Sequence, residues 1–180
     1  MSSGAPSETH MEVLFDADSI ASRINGLVQE IAEAEFNNLL ILPILKGSFM
    51  FGADLLRALH CVGLTPEVDF IFLSSYGKGT RSSGRVEVLR EPEAAIRGRD
   101  VLIVDDILES GRTLAFAKDL IAARGANRVA TCVLLDKPVD RAVEIDADFR
   151  GFECPKVFVV GYGMDLAHRY RELPYVGRIL

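Results

Sequence analysis

The residues best suited to chemistry lie in VLIVDDILESGRTL, residues 101–114, where four apolar residues run into Asp105 and Asp106 and a third acid, Glu109, precedes Ser110-Gly111-Arg112-Thr113. A strand ending at Val104 and a helix beginning near Thr113 would set the two acids at the top edge of a sheet. The unpaired N–H groups of the helix's first turn would then point into the loop between them. Ser110, Gly111, Arg112 and Thr113 offer backbone donors, two hydroxyls and one residue permissive enough for close approach, which are the parts of a phosphate cradle. Carboxylates aimed at a phosphate would repel it, so Asp105 and Asp106 are expected to accept hydrogen bonds from sugar hydroxyls or to face a metal. The stretch reads as a sugar-phosphate site, beside the plainer reading of helix-capping and solvated acids.

Two other phosphate chemistries fit less well. A P-loop needs GxxxxGK[ST], and neither its first glycine nor its lysine stands around Gly111. A phospho-acceptor receiver domain pairs acids after its first strand and places a lysine later. Lys137 in LLDK could serve, but this acid pair comes after about a hundred residues and leaves too little chain behind it.

Elements must position these groups. DADSIASRINGLVQEIAEAEF repeats Ile20, Ile24, Leu27, Val28 and Ile31 at a helical period, with Asp18 or Ser19 as candidate N-cap. LLILPIL is a short continuous apolar run, as in a strand buried on both faces, and it stops at Lys46-Gly47-Ser48. A helix is expected over residues 49–59, a strand over 67–73, and a loop over the polar tract SSYGKGTRSSG. RVEVLRE alternates like an edge strand, LAFAKDLIAARG is a helix closed by Gly125, RVATCVLLD is a strand, and residues 136–148 form a long connection. Alternating strands and helices predict an α/β fold with a parallel sheet, whose ligands bind at the carboxyl ends of the strands.

Composition narrows the partners. The chain has 180 residues, enough for one domain with a sizeable core, and is 49% hydrophobic. A formal net charge of −6 argues against a broad grip on nucleic acid or an anionic membrane, but a local basic pocket can still hold a small phosphorylated molecule. Cys61, Cys132 and Cys154 are odd in number and never in CxxC spacing, so neither a disulfide framework nor a zinc site is expected and a reducing cytoplasm fits. His10, His60 and His168 are scattered, which gives no support for a histidine metal site. No apolar run is long enough to cross a bilayer, no secretory signal is evident, and the first ten residues read as a disordered N-terminus before one domain over 11–180.

VLIVDDILESGRTL resembles the phosphoribosyl pyrophosphate motif of type I phosphoribosyltransferases, in which two acids precede an acid-(Ser/Thr)-Gly-x-Thr turn. LPILKGSFMFGADLLRAL is similar to that family's Leu-Lys-Gly-Ser loop and helix. SSYG is similar to the start of its flexible loop, and LLDKP and FVVGYGMD to its purine-binding elements. Together they cover residues 39–180 in the order and spacing of the hypoxanthine-guanine branch. The resemblance implies a mostly parallel central sheet flanked by helices, with a small purine-binding hood from the chain ends. It also implies a cytoplasmic purine-salvage enzyme, using Mg²⁺, that joins a 6-oxopurine to phosphoribosyl pyrophosphate and releases pyrophosphate.

By that resemblance Asp105 and Asp106 bind the ribose hydroxyls directly or through the metal, and Ser110, Gly111, Arg112, Thr113 and Leu114 hold the 5′-phosphate. Lys46 and Gly47, after a peptide that can be cis, and Arg171 bind pyrophosphate. Lys137 donates to the purine 6-oxygen, Phe158 stacks on the base, Val159 reads its edge through the backbone, and Asp165 faces metal and pyrophosphate. Ser75 and Tyr76 open a lid over residues 74–84. Glu109 takes the purine N7 proton, although the commoner motif has Asp there. The bland readings are a solvated loop lysine at 46, ordinary core at Phe158 and Val159, a charge on a polar tail at Arg171, and an idle loop at 74–84. Two other functions stay open: a regulator that binds the ligand without turnover, and an enzyme for another base. A homodimer or homotetramer is expected, supported by the apolar Phe49-Met50-Phe51.

Overall fold

A computed structural model describes residues 10–75 and 86–180. Its elements in chain order are β1 (Met11–Phe15), α1 (Ala17–Glu33), β2 (Leu40–Leu45), α2 (Phe49–Cys61), β3 (Glu67–Val68), β4 (Ile71–Ser75) and β5 (Val86–Arg90). They continue with β6 (Asp100–Leu108), α3 (Arg112–Ala123), β7 (Arg128–Asp136), β8 (Phe149–Glu153), β9 (Val159–Val160) and β10 (Val176–Ile179).

The main sheet has strand order β5-β4-β2-β6-β7-β8, with β3 beside β2. All its pairs are parallel except β4 with β5. Its central strands are apolar without a break because both faces are covered, and the period of two sorts their side chains. In β6, Leu102 and Val104 point to the α1 and α2 side, where they join Ile24, Leu27, Phe51 and Leu55. Val101 and Ile103 point the other way, to Leu114, Ala117 and Ile121 of α3. Pro43 is tolerated in this central strand because it falls between the two partners on one side of β2: β3 pairs Leu40 and Ile41, and β4 pairs Ile44 and Leu45.

Several expectations need correction. The cap of α1 is Asp16, not Asp18 or Ser19: Asp16 keeps an extended backbone and its carboxylate accepts the Ser19 N–H at 2.8 Å, while Asp18 lies inside the first turn. The strand expected over residues 67–73 is broken at residues 69–70, where the Asp69 carboxylate accepts the N–H groups of Phe70, Glu93 and Ala94. The strand expected to end at Val104 continues to Leu108, because β7 goes on pairing with it after β2 has stopped at Val104. Phe51 is fully buried in the core of its own chain, so within Phe49-Met50-Phe51 only Phe49 counts as an exposed large apolar residue.

The chain ends meet. β1, β10 and β9 form a separate antiparallel three-stranded sheet, with β10 in the middle, and the His10 carbonyl accepts the Leu180 N–H at 3.0 Å. This is the hood, and it draws His10 out of the expected N-terminal tail. Residues 1–9, the rest of that tail, lie outside the described residues.

Candidate active site

β2 connects onward to β4 on one flank, and β6 connects onward to β7 on the other, so the chain departs in opposite directions from these neighbours. A crevice opens beyond the carboxyl ends of two strands arranged this way. Lys46 and Gly47 leave β2 there, and Asp105 and Asp106 stand on the β6 edge that β2 no longer covers.

The two acids line different hollows. Asp106 belongs to a cleft of about 560 Å³ that also receives Lys46, Gly47, Glu109, Lys137, Phe158 and Arg171. Asp105 faces a smaller hollow of about 220 Å³ formed with Glu109, Ser110, Gly111, Thr113 and Leu114. Burial, and then the neighbouring Asp106 charge, hold the Asp105 carboxyl well above the usual carboxylate range. Burial also raises Asp106, although hydrogen bonds and the Arg171 charge work against it. Such acids gain from hydroxyl donors or a cation brought to them.

Close approach explains Gly47. A Cβ there would stand 1.8 Å from the Asp106 Oδ2, so only glycine lets the loop after β2 fold against the acid. The peptide between Leu45 and Lys46 is cis, as the resemblance allowed. The Lys46 ammonium lies 5.7 Å from the centre of the Phe72 ring. Gly111 has a second reason to be glycine: its φ is +76°, and a Cβ would meet the Val143 carbonyl oxygen at 2.2 Å. It is the N-cap of α3, so the first N–H groups of that helix open toward the small hollow, as the sequence predicted one residue later.

Among the residues expected to bind a purine, Lys137 is 5% exposed yet lines the cleft, and its Nζ is 3.3 Å from Glu109 Oε2. Phe158 is 58% exposed over the same cleft, which removes the reading of it as core, and Val159 is buried in β9. Arg171 donates to the Gly163 carbonyl and pairs with Asp165 at 2.7 Å, so it is no loose charge on a tail. Asp165 also accepts the His168 N–H at 2.7 Å. Ser75 closes β4, and Tyr76 with the rest of the proposed lid through Gly84 lies outside the described residues.

Phe72, Leu73, Leu89 and His168 also line the cleft and escaped the sequence reading, while Ser74, Ile107 and Met164 line it from within the lid and motifs already singled out. A signal existed for some of them. Phe72 and Ser74 alternate with buried Ile71 and Leu73 in β4, which marks one face of that strand as open.

The sequence profile of the phosphoribosyl transferase domain matches residues 10–166. The chain belongs to the phosphoribosyltransferase family. Within that family it is similar to the hypoxanthine phosphoribosyltransferase of Escherichia coli K12, at 42% identity over 173 residues, which covers 94% of this chain and 96% of the relative. It is also 47% identical over 167 residues to the bifunctional protein TilS/HprT of Listeria monocytogenes serotype 4b, where the match covers 92% of this chain but only 25% of the longer protein. Among solved structures, the hypoxanthine phosphoribosyltransferase of Trypanosoma cruzi in complex with the product IMP has a TM-score of 0.88 at 36% identity and covers 98% of each chain. The mostly parallel sheet, the helices on both faces and the separate hood are thus the architecture of this phosphoribosyltransferase group.

No group of three or more His, Cys, Asp or Glu among the described residues could hold a metal by itself. Asp105 and Asp106 could hold a Mg²⁺ ion, which takes one or two carboxylates and completes its shell with water and substrate oxygens. Asp165 is already engaged by Arg171 and His168. No helix among the described residues is long and apolar enough to cross a membrane.

Proposed function

We propose that this chain transfers the phosphoribosyl group from phosphoribosyl pyrophosphate to hypoxanthine or guanine, giving the nucleoside monophosphate and pyrophosphate. The observation that carries the reading is the 3.3 Å pair of Lys137 and Glu109 beside the open Phe158 ring. N7 and O6 are neighbours on one edge of a 6-oxopurine. A donor-only ammonium next to an acceptor carboxylate matches O6 beside a protonated N7, and the same ammonium would leave the amino group of adenine without a partner.

The remaining residues follow the charge. The C1′–oxygen bond to pyrophosphate breaks as the C1′–N9 bond forms, so positive charge grows on the sugar and negative charge on the leaving group. Lys46 and Arg171 meet that leaving charge, and Asp105 and Asp106 face the sugar end. The backbone N–H groups of residues 110–114 hold the 5′-phosphate. Glu109 accepts the N7 proton as N9 bonds to carbon, which leaves the product neutral at the ring. Bound Mg²⁺ would neutralise the diphosphate and orient the sugar, held by Asp105 and Asp106. Asp165 holds Arg171 and so shapes the pyrophosphate end, and it would help hold the ion only by sharing the carboxylate that the arginine engages. Free thiols and a formal net charge of −6 fit a cytoplasmic enzyme acting on small molecules. Assembly as a homodimer or homotetramer is the form we expect.

Initial rates with hypoxanthine, guanine, xanthine and adenine, each with Mg²⁺ and with a chelator, test this. Nucleotide should form from hypoxanthine and guanine, should not form from adenine, and should cease on chelation. Turnover of adenine at a similar rate, or of no base at all, contradicts the proposal.

A further inference from the structure

The connection over residues 137–148 contains no helix or strand, yet it touches both ends of the candidate site. At one end stands Lys137. Near the other, the Val143 N–H donates to the Ser110 carbonyl at 3.1 Å, and the Val143 carbonyl presses on Gly111 in the phosphate turn. A long irregular segment holds such a position only if something inside it fixes its shape.

Arg141 sits at its centre, with a side chain only 15% exposed. One Nη donates to the Ile145 carbonyl at 2.7 Å and lies 3.3 Å from Asp146. The other Nη makes a short ion pair with Asp136 and reaches the Lys137 carbonyl at 3.5 Å. Asp136, 8% exposed, takes a second arginine on its other oxygen, Arg150 at 3.3 Å, and its backbone carbonyl accepts the Cys154 N–H at 2.8 Å. The guanidinium thus closes the loop by holding residues 136–137 and 145–146 together. The Nε is buried without a hydrogen-bond partner among the described residues, so the group is seated by the four acceptors its Nη atoms serve.

We propose that Arg141 is a positioning residue: by stapling the 137–148 loop across Asp136 it holds the Lys137 ammonium beside Glu109, where the purine edge docks. It touches no substrate. The inference rests on the reading of Lys137 as the purine donor, and the lysine's own variant separates the two claims.

The experiment measures KM for hypoxanthine and for phosphoribosyl pyrophosphate in Arg141→Ala, Arg141→Lys and Lys137→Ala, with thermal melting of each. Arg141→Ala should raise KM for hypoxanthine by about tenfold or more, since a donor displaced by an ångström loses its partner, with a smaller rise in KM for phosphoribosyl pyrophosphate because the same loop bears on the phosphate turn through Val143. Arg141→Lys keeps the ion pair to Asp136 but cannot also reach Ile145, and should fall between. Beside Arg141 and Asp136 lies an open hollow of about 380 Å³, so guanidinium ion at sub-denaturing concentration should lower the raised KM of Arg141→Ala, and urea at equal concentration should not.

If Arg141→Ala keeps the wild-type KM for hypoxanthine while Lys137→Ala raises it, the staple is refuted and the lysine reading survives. If Lys137→Ala changes nothing, both fall. A lower kcat with both KM values unchanged and no response to guanidinium marks Arg141 as structural only and overturns the proposal. Should Arg141→Ala fail to fold, Asp136→Asn makes the same test: it removes the charge the arginine holds and should raise the same KM, and an unchanged KM overturns the proposal equally.

Discussion

Glu109 occupies the place where the commoner motif has aspartate, and its extra methylene must be absorbed locally. The structure leaves it room: the side chain is 55% exposed at the mouth of the cleft and still comes within 3.3 Å of Lys137. A longer arm from a surface turn can set its carboxylate at the purine edge in a different rotamer. Glu109→Gln is expected to lower kcat by about 10- to 10³-fold, less than the loss of an indispensable base because water can also take the N7 proton. KM for phosphoribosyl pyrophosphate should hardly move. Glu109→Asp should keep more activity than Gln and less than the wild type, since it restores the charge at a shorter reach. Single-turnover rates are the measurement, because slow product release would conceal a slower chemical step. A Gln variant with wild-type single-turnover rates would remove Glu109 from proton transfer.

Among the elements, the turn between β6 and α3 is tightly constrained. Gly111→Ala would face two penalties at once, a side chain at φ +76° and a Cβ 2.2 Å from the Val143 carbonyl oxygen. Gly63 has a similar φ of +83° but nothing within 4 Å of its added Cβ, so Gly63→Ala isolates the backbone cost. Urea unfolding should show a loss of about 1 kcal/mol for Gly63→Ala. Gly111→Ala should lose more and should also weaken binding of phosphoribosyl pyrophosphate, which Gly63→Ala should leave intact. Equal losses in the two variants would show that the loop over residues 137–148 yields freely.

At the opposite end of the sheet, Asp100 begins β6 and ties the entries to two neighbouring strands, accepting the Asn37 N–H at 2.8 Å and the Asn127 side-chain amide at 2.7 Å. Burial alone would raise its carboxyl, but these hydrogen bonds and the Arg128 charge bring it below the usual range. A folded value below the unfolded one contributes stability that is present above the ordinary carboxylate pKa and is lost as pH falls through the lowered value. Asp100→Asn is therefore expected to be less stable at pH 7 and to lose less stability than the wild type on acidification. Urea midpoints on either side of that range measure it, and parallel loss in both proteins would contradict it.

At the scale of the whole molecule, the end of the cleft proposed to take the purine is built with both chain termini. β10 lies between β1 and β9, and Arg178 pairs with Val159, the residue after Phe158. Removing residues 176–180 takes away the middle strand of that sheet while leaving the phosphate turn and the acid pair on the main sheet. KM for hypoxanthine should rise by about tenfold or more, the scale of losing one or two well-placed contacts, with a smaller effect on phosphoribosyl pyrophosphate. Equal losses for both substrates would mean that the hood also supports the main sheet.

Much of this was legible in the order of residues, because local chemistry dictates it. Continuous apolar runs announced strands covered on both faces, and β7 begins and ends where RVATCVLLD does. The period of Ile20, Ile24, Leu27, Val28 and Ile31 announced a helix with one buried face. A run of DD, an acid and Ser-Gly-Arg-Thr announced the acids and the helix start that line the cleft and its smaller neighbour. The short strands β1, β8, β9 and β10 escaped, since each is completed by a partner distant in sequence and has no pattern strong enough alone. What the tertiary structure alone decided is who meets whom. β2 stops pairing at Val104 and β7 does not, which exposes one edge of β6 and sets Asp106 against Gly47. Lys137 follows a strand beside the one that delivers Glu109, and the parallel register of β6 and β7, Leu108 opposite Asp136, brings the two side chains together. Residues 28 positions apart become a matched donor and acceptor through that register, which is a property of two strands lying side by side and of neither strand alone.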